Sequence, residues 1–271
     1  MKAFKKFQRE DQSFWFLIRF ISERLGYTDK KKGIVKSYTK EDVEKLCYKE
    51  NISVSPDQLV KAVDYCKMRA DLLNDTVSNN LMDVDEAKDV FEQLSSSGEF
   101  HSKPIMNKQK NEKKNINYLA AIVTMLAEKT LGGTDEFNPD PHGLIYLLNN
   151  QKIIGSSSRR FDGAYPSIYN PEIVWEIKEY YYTTTFGSRI ADAVYESELD
   201  GYEFNEIYNR TGQHVFHVVF IDSHFTFWGK GKSYLCRFID TLNMGLIDEL
   251  IIGKEVITRW PQVLKDIIVK K

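Results

Sequence analysis

Cysteine is scarce in this chain of 271 residues. Only Cys47, Cys66 and Cys236 occur, which is an odd number without a CxxC pair. The sequence therefore argues against a disulfide framework and against a cysteine-rich zinc site. Such cysteine usage fits a reducing compartment, and we expect a cytoplasmic protein.

Long hydrophobic runs are also missing. Residues 1–6 begin basic, and the apolar run that follows at residues 14–18 is cut by Arg19. This run is too short to cross a bilayer and is badly placed for the apolar part of a signal peptide. We therefore expect a soluble protein without a membrane partner.

The chain has little excess charge of either sign, with a formal net charge of −2. No global basic field indicates nucleic-acid binding, although a cleft can be basic in a protein that is acidic overall. Hydrophobic residues make up 42% and charged residues 28% of the chain, as in ordinary globular proteins. The length allows one large domain or two small ones.

Helical patterns fill residues 1–100. Apolar residues recur at helical spacing in residues 13–25, and Thr39 and Ser55 stand where helix caps are expected. Pro56 follows Ser55 at a position that the first turn of a helix tolerates. We expect an all-helical N-terminal region that serves DNA recognition or dimerisation.

A basic linker is predicted at residues 101–115. It is poor in apolar residues and contains Lys103, Lys108, Lys110, Lys113 and Lys114. Low hydrophobicity with this many lysines indicates an exposed segment. It is either a solvated hinge or a tether that contacts the DNA backbone.

Residues 116–271 alternate between helical and strand-like patterns. Helices are predicted at residues 116–131, 187–199 and 233–243, and strands at 152–154, 159–164, 172–182, 214–222 and 249–252. The run at 214–222 is apolar throughout, which is typical of a strand buried on both faces. This order indicates an α/β domain with a sheet covered by helices.

An aspartate and an acid-x-lysine triplet carry the chemistry of this domain. Asp162 is followed after thirteen residues by Glu176, Ile177 and Lys178. Side chains two apart in a strand share a face, so Glu176 and Lys178 project together. If the two strands pair, Asp162 stands beside Glu176, and two such carboxylates suit Mg²⁺. The alternative is an exposed ion pair on an edge strand.

The spacing of Asp162 and Glu176-x-Lys178, on helix–β–β–β–helix–β order, resembles the PD-(D/E)xK nuclease superfamily. Within it, the chain is most similar to type II restriction endonucleases. Residues 175–196 look like a block found in restriction-enzyme-like proteins, and the resemblance covers roughly residues 116–260. It implies a restriction-endonuclease-like mixed sheet flanked by helices. Phe161 stands where the proline of the family name would be, which removes no ligand.

The resemblance also implies roles for particular residues. Asp162 and Glu176 would bind Mg²⁺, with Mn²⁺ as a substitute, and Lys178 would be the catalytic lysine. Many members add an acid from the helix before the sheet, and Glu128 is the candidate here. The alternative for Glu128 is a solvent-facing helix residue.

Several residues near this constellation are candidates for DNA binding. Strand alternation places Arg160, but not Arg159, on the side of Asp162. Hydroxyls and a helix N-terminus suit phosphate groups, and lysines in a turn can follow a DNA backbone. The remaining candidates are Thr184, Ser188, Arg189, Lys230 and Lys232. Each of these has a plain structural alternative, as a helix cap or as a solvated surface residue.

These patterns predict a Mg²⁺-dependent DNA endonuclease, of the type II restriction kind, that defends against foreign DNA. Cutting both strands usually calls for two active sites, so a homodimer is the economical arrangement and is expected. A structure-selective nuclease of DNA repair or recombination shares the same chemistry and is the first alternative. A non-catalytic DNA-binding subunit on a nuclease fold is the second.

Overall fold

A computed structural model describes residues 1–8, 10–98, 100–106, 115–182 and 188–269, and only the backbone of Ser188. Within these residues the chain forms a mixed α/β structure with a helical N-terminal region. In this part of the chain no helix is long and apolar enough to cross a membrane.

The N-terminal region consists of five helices, of which one is a single turn. They are α1 (Gln12–Leu25), α2 (Lys40–Lys49), α3 (Pro56–Asp71), α4 (Ser78–Asn80) and α5 (Val84–Ser97), with a π-helical stretch at Leu72–Val77. Thr39 and Ser55 cap α2 and α3 through their side-chain oxygens, as predicted. Each such cap stabilises its helix by about 1 kcal/mol.

A small hairpin interrupts these helices, so the expectation of an all-helical region is wrong at this point. Strands β1 (Thr28–Asp29) and β2 (Ile34–Val35) pair antiparallel. The carboxylate of Asp29 accepts the N–H groups of Lys31 and Lys32 and so closes the turn. Local side-chain-to-backbone bonding of this kind competes with helix formation.

The main sheet has four strands in the order β5-β6-β7-β8. Their bounds are Gly163–Tyr165, Ile173–Glu179, Phe216–Asp222 and Glu249–Ile252. Strand β5 is antiparallel to β6, whereas β6, β7 and β8 are parallel to one another. Parallel strands need a long crossover connection, and here each crossover contains a helix.

Helices cover both faces of this sheet. They are α6 (Tyr118–Leu131), α7 (Ser188–Thr211), α8 (Lys232–Asn243) and α9 (Val256–Ile268). Helices α6 and α9 pack on the face that carries Ile173 and Trp175. Helices α7 and α8 pack on the opposite face, against Val219 and Ile221.

The segment before the sheet differs from the predicted three strands. Strands β3 (Tyr146–Asn149) and β4 (Lys152–Ser156) form a hairpin of their own and do not join the main sheet. The predicted strand at residues 159–164 begins only at Gly163. A Cβ on Gly163 would lie 1.9 Å from the Trp175 side chain, so only glycine allows the two strands to approach this closely.

The described ends of the predicted linker are not extended. Met106 bridges to Ile116, and the N–H of Asn117 donates to the carbonyl of Ile105. Lys103 lies within the described residues, whereas the other linker lysines do not: these are Lys108, Lys110, Lys113 and Lys114. The two described ends of the linker are therefore adjacent in space.

A buried ion pair joins the N-terminal helices to the sheet domain. Arg69 of α3 is fully buried and donates to both carboxylate oxygens of Asp240 in α8, at 2.9 and 2.8 Å. The hydroxyl of Tyr65 donates to the same carboxylate at 2.6 Å, and Arg69 also donates to Ser22 of α1. Three helices thus meet at one charge pair.

We expect Arg69→Met to destabilise the protein strongly, because it leaves Asp240 buried without its partner charge. Removing one member of a buried pair costs on the order of 3–5 kcal/mol. Urea unfolding of the full chain measures the effect. Arg24→Met is the control, since Arg24 is exposed and its pair with Glu50 spans 3.7 Å. A loss below about 1 kcal/mol is expected for this surface pair.

Candidate active site

The predicted acid–lysine constellation is assembled where β5 meets β6. The N–H of Asp162 donates to the carbonyl of Trp175 at 3.1 Å, and its Oδ2 accepts the N–H of Ile177 at 2.7 Å. These bonds fix Asp162 beside Glu176 and Lys178. As alternation predicts, the last two share a face, and Nζ of Lys178 lies 2.6 Å from Oε1 of Glu176.

Both of these β6 side chains are buried, with 4% of Glu176 and 5% of Lys178 exposed. The interpretation as an exposed edge pair is therefore wrong. Lys178 also contacts Oε2 of Glu196 in α7 at 2.5 Å. Burial favours a neutral lysine, but the carboxylates of Glu176 and Glu196 together outweigh it and raise the pKa of Lys178. Lys178 is therefore a cation here, suited to stabilise negative charge rather than to accept a proton.

Arg159 lies in the site, although strand alternation predicts that it faces away from Asp162. Its Nη2 lies 2.8 Å from Oε1 of Glu176, and its Nη1 lies 2.9 Å from Oδ2 of Asp200. The same alternation predicts Arg160 on the side of Asp162, but Arg160 is exposed. The assignment failed because the chain is irregular until Gly163, so side chains do not alternate before that residue.

Helix α7 supplies two acids that sequence reasoning missed. Glu196 and Asp200 are four residues apart and so lie on one side of the helix. The predicted helix ended at residue 199, which left Asp200 outside it. The observed helix continues to Thr211. A prediction that extended the helix past residue 199 would have placed the two acids on the same side of it.

The site contains more carboxylates than cations. Four acids, which are Asp162, Glu176, Glu196 and Asp200, surround two cations, Lys178 and Arg159. Burial, reinforced by Glu176, raises the pKa of Asp162 to about 7. Burial also raises the pKa of Asp200 to about 7, although Arg159 opposes it. The excess of negative charge thus favours the binding of either a proton or an additional cation.

Unpartnered oxygens point to the same conclusion. Oε2 of Glu176 and Oδ1 of Asp200 are buried and have no hydrogen-bond partner among the described residues. Burial alone would raise the pKa of Glu176, but Lys178 and Arg159 outweigh it and lower that pKa. Glu176 is therefore ionised, with one oxygen available to a ligand.

Asp162 and Glu176 fit the ligand chemistry of Mg²⁺. This ion takes hard oxygen ligands and usually keeps several waters, with only one or two carboxylates from the protein. In the described part of the chain, no group of three or more His, Cys, Asp or Glu side chains is arranged to hold a metal. Asp162 and Glu176 would therefore be the protein's ligands, with water and phosphate oxygens completing the set.

Glu128 does not join Asp162 and Glu176, contrary to the prediction. It lies on α6, which packs on the Trp175 face of the sheet, whereas Glu176 projects to the other face. Its carboxylate accepts the N–H groups of His101 and Ser102 at 2.7 and 3.1 Å. It is also 5% exposed, so it is not a solvent-facing residue either. Glu128 therefore anchors the first residues of the predicted linker.

The predicted DNA-binding residues are scattered. Thr184 and the side chain of Ser188 lie outside the described residues, and Arg189 is exposed at the start of α7. Lys230 and Lys232 follow β7. Lys230 is exposed and lies 5.7 Å from the ring of Phe225, and Lys232 lies 4.5 Å from the ring of Trp228. None of these contacts ties them to Glu176.

In the absence of metal, we expect the protein to become less stable as the pH rises from about 5 to about 7. The folded-state pKa of Asp162 is about 7, above its ordinary value of 3.8, so the unfolded chain loses this proton first. The unfolded state thus binds fewer protons in this window, and stability falls by on the order of 1 kcal/mol per pH unit.

Thermal melts of wild type and Asp162→Asn across this range test the expectation. The asparagine variant should show a shallower loss of melting temperature, because its side chain does not titrate. Asp71→Asn, at an exposed position, is the matched control and should follow wild type. Parallel curves for all three proteins would contradict the assignment.

Comparison with known proteins yields two family matches. Residues 82–267 match a family described as "Domain of unknown function (DUF7687)", and residues 1–76 match "Domain of unknown function (DUF7690)". The first match covers more than half of the chain. It includes the acid–lysine cluster, by which we mean Asp162, Glu176 and Lys178 with Arg159, Glu196 and Asp200 around them. No curated protein and no solved structure matches the chain.

Proposed function

We propose that this chain, which belongs to the DUF7687 family, is a metal-dependent nuclease that hydrolyses DNA phosphodiester bonds. The observation that carries the proposal is the buried Asp162–Glu176–Lys178 cluster with an unpartnered Oε2 on Glu176. A buried acid excess beside a protonated lysine is costly for the fold, and such perturbed groups concentrate at functional sites.

The order of elements around this cluster supports the proposal. Asp162 precedes β5, the Glu176-x-Lys178 strand β6 pairs antiparallel with β5, and helix α7 leads to the parallel strand β7. This agrees with the helix–β–β–β–helix–β order of PD-(D/E)xK nucleases in its last four elements. It departs in the first strand, since the β3–β4 hairpin stays outside the sheet.

Each side chain has a role in this mechanism that follows from its charge. A bound Mg²⁺ would polarise the phosphoryl oxygen and lower the pKa of an attacking water. Asp162 and Glu176 would hold the ion. Lys178 is protonated and buried, so it would stabilise the charge that develops on the phosphate. Arg159 would hold Glu176 in place and supply further positive charge.

A restriction-type enzyme in defence against foreign DNA is the specific form that we propose, working in the cytoplasm as a homodimer. Its N-terminal helices would read the target or mediate dimerisation. Discrete fragments from plasmid DNA would support this form. Cleavage confined to branched DNA would instead favour a nuclease of repair or recombination.

We expect Glu176→Ala and Lys178→Ala each to lower cleavage of supercoiled plasmid in Mg²⁺ by at least about 100-fold, because each removes charge from the reacting centre. Nicking and linearisation on agarose gels measure the loss. Glu41→Ala and Lys152→Ala change an exposed acid and an exposed lysine, and both should keep wild-type rates. Full cleavage by both site variants would overturn the assignment.

We expect Arg159→Met to strengthen metal binding while weakening cleavage. Its guanidinium lies 2.8 Å from Glu176, so its charge opposes the binding of a metal ion at this carboxylate. Removing a unit charge a few ångströms away should raise the affinity by about tenfold or more. Calorimetry with Mn²⁺ and no DNA measures the change, with Arg159→Lys as the charge-keeping control.

Weaker Mn²⁺ binding by Arg159→Met would mean that Arg159 mainly holds the ligands in position.

A non-catalytic DNA-binding role is the second candidate function, because Lys178 and Arg159 already neutralise one oxygen of Glu176. Tight DNA binding by the wild type without any Mn²⁺ binding would favour that role.

A further inference from the structure

A cleft of about 360 Å³ lies between the N-terminal helices and the helices of the sheet domain. Its volume falls within the range of about 300–1,000 Å³ that is typical of small-molecule sites. It is lined on the N-terminal side by Arg19, Glu23 and Tyr27, and on the other side by Tyr195, Glu198 and Arg237. Neither half of the chain forms this cleft alone.

The charges in this cleft are balanced. Its two arginines are matched by its two glutamates, and Arg19 lies 3.3 Å from Glu198. Asp240 also lines the cleft, but its carboxylate is paired with the buried Arg69. A phosphate site would carry a positive excess. The cleft therefore suits an uncharged ligand that has both hydrogen-bond donors and acceptors.

The shape of the polar groups favours a planar ligand. The guanidinium of Arg237 lies 5.8 Å from the ring centroid of Tyr27 and donates to the hydroxyl of Tyr195 at 3.2 Å. A guanidinium has five N–H donors in a plane, which is more than these contacts use. Tyr195 is 54% exposed, so part of this aromatic residue is open to a ligand.

We propose that this cleft binds an unpaired nucleobase with the edge pattern of guanine. Guanine presents two acceptors, N7 and O6, which a guanidinium such as that of Arg237 binds through two donors. Its N1–H and amino group are donors, for which Glu23 and Glu198 supply carboxylate oxygens. Tyr195 would stack on the ring, as aromatic side chains do with splayed bases.

The base has two chemical sources, a displaced base of DNA or a free nucleotide. Tyr195 and Glu198 flank Glu196, which contacts Lys178 of the candidate active site. DNA held at that site would therefore pass close to the cleft. Only this choice of source rests on the proposed nuclease function, because the cleft's own chemistry is independent of metal and cleavage.

Fluorescence anisotropy tests the inference with the full chain in EDTA, where no cleavage occurs. The probes are labelled duplexes with one bulged nucleotide, which is guanine, adenine, cytosine, thymine or an abasic site. We expect the guanine bulge to bind at least about tenfold more tightly than the abasic one, since stacking and edge contacts are both lost there. Equal affinities for all five duplexes would overturn the proposal.

Two variants tie the preference to the cleft. Tyr195→Ala and Arg237→Gln should each reduce the guanine preference by about fivefold or more. Tyr208→Ala is the matched control, because Tyr208 lies on the same helix and is 48% exposed but does not line the cleft. Circular dichroism and melting curves confirm folding. An unchanged preference in both cleft variants would contradict the proposed site.

Competition with guanosine monophosphate separates the two sources. The mononucleotide is added at a concentration near its own dissociation constant for the protein. If it displaces the bulged duplex, the cleft is assigned to free nucleotides. Preference for the duplex without such displacement assigns it to DNA. The same series in the Glu176→Ala background is expected to give the same preference, so a failed nuclease assignment leaves this result standing.

Discussion

The structure depends on how strand β6 keeps the charges of Glu176 and Lys178 inside the protein. Both side chains are at most 5% exposed, so neither charge is solvated by bulk water. Each is held by the other and by partners from outside the strand, which are Arg159 for Glu176 and Glu196 for Lys178. Because a buried charge without a partner is strongly unfavourable, the loop before β5 and helix α7 must both be in place.

A second buried pair explains why the helical N-terminal region belongs to the same structure. Arg69 and Asp240 connect α3 to α8, and α8 packs beside α7 on the face that carries the site. Helix α7 is thus held by α8 on one side and, through Glu196, by Lys178 of the sheet on the other. This gives the N-terminal helices a physical role in shaping the site, whether or not they contact DNA themselves.

Local patterns explain what could be predicted from the sequence. The period of two in β6 placed Glu176 and Lys178 on one face, and the cap at Thr39 marked the start of α2. The errors arose where tertiary contacts decide. Arg159 reaches Glu176 from an irregular segment, to which no period applies. The side of the sheet on which Glu128 lies follows from the packing of α6, which spacing along the chain does not reveal.

Helix α7 contributes side chains both to the candidate active site and to the cleft. Glu196 and Asp200 project toward Arg159, whereas Tyr195 and Glu198 line the cleft beside the N-terminal helices. Successive residues on a helix are about 100° apart, so one helix presents both sets of side chains at a fixed angle. The cleft and the candidate active site therefore draw on different residues of one helix, so a substitution at Tyr195 removes no ion pair of Arg159.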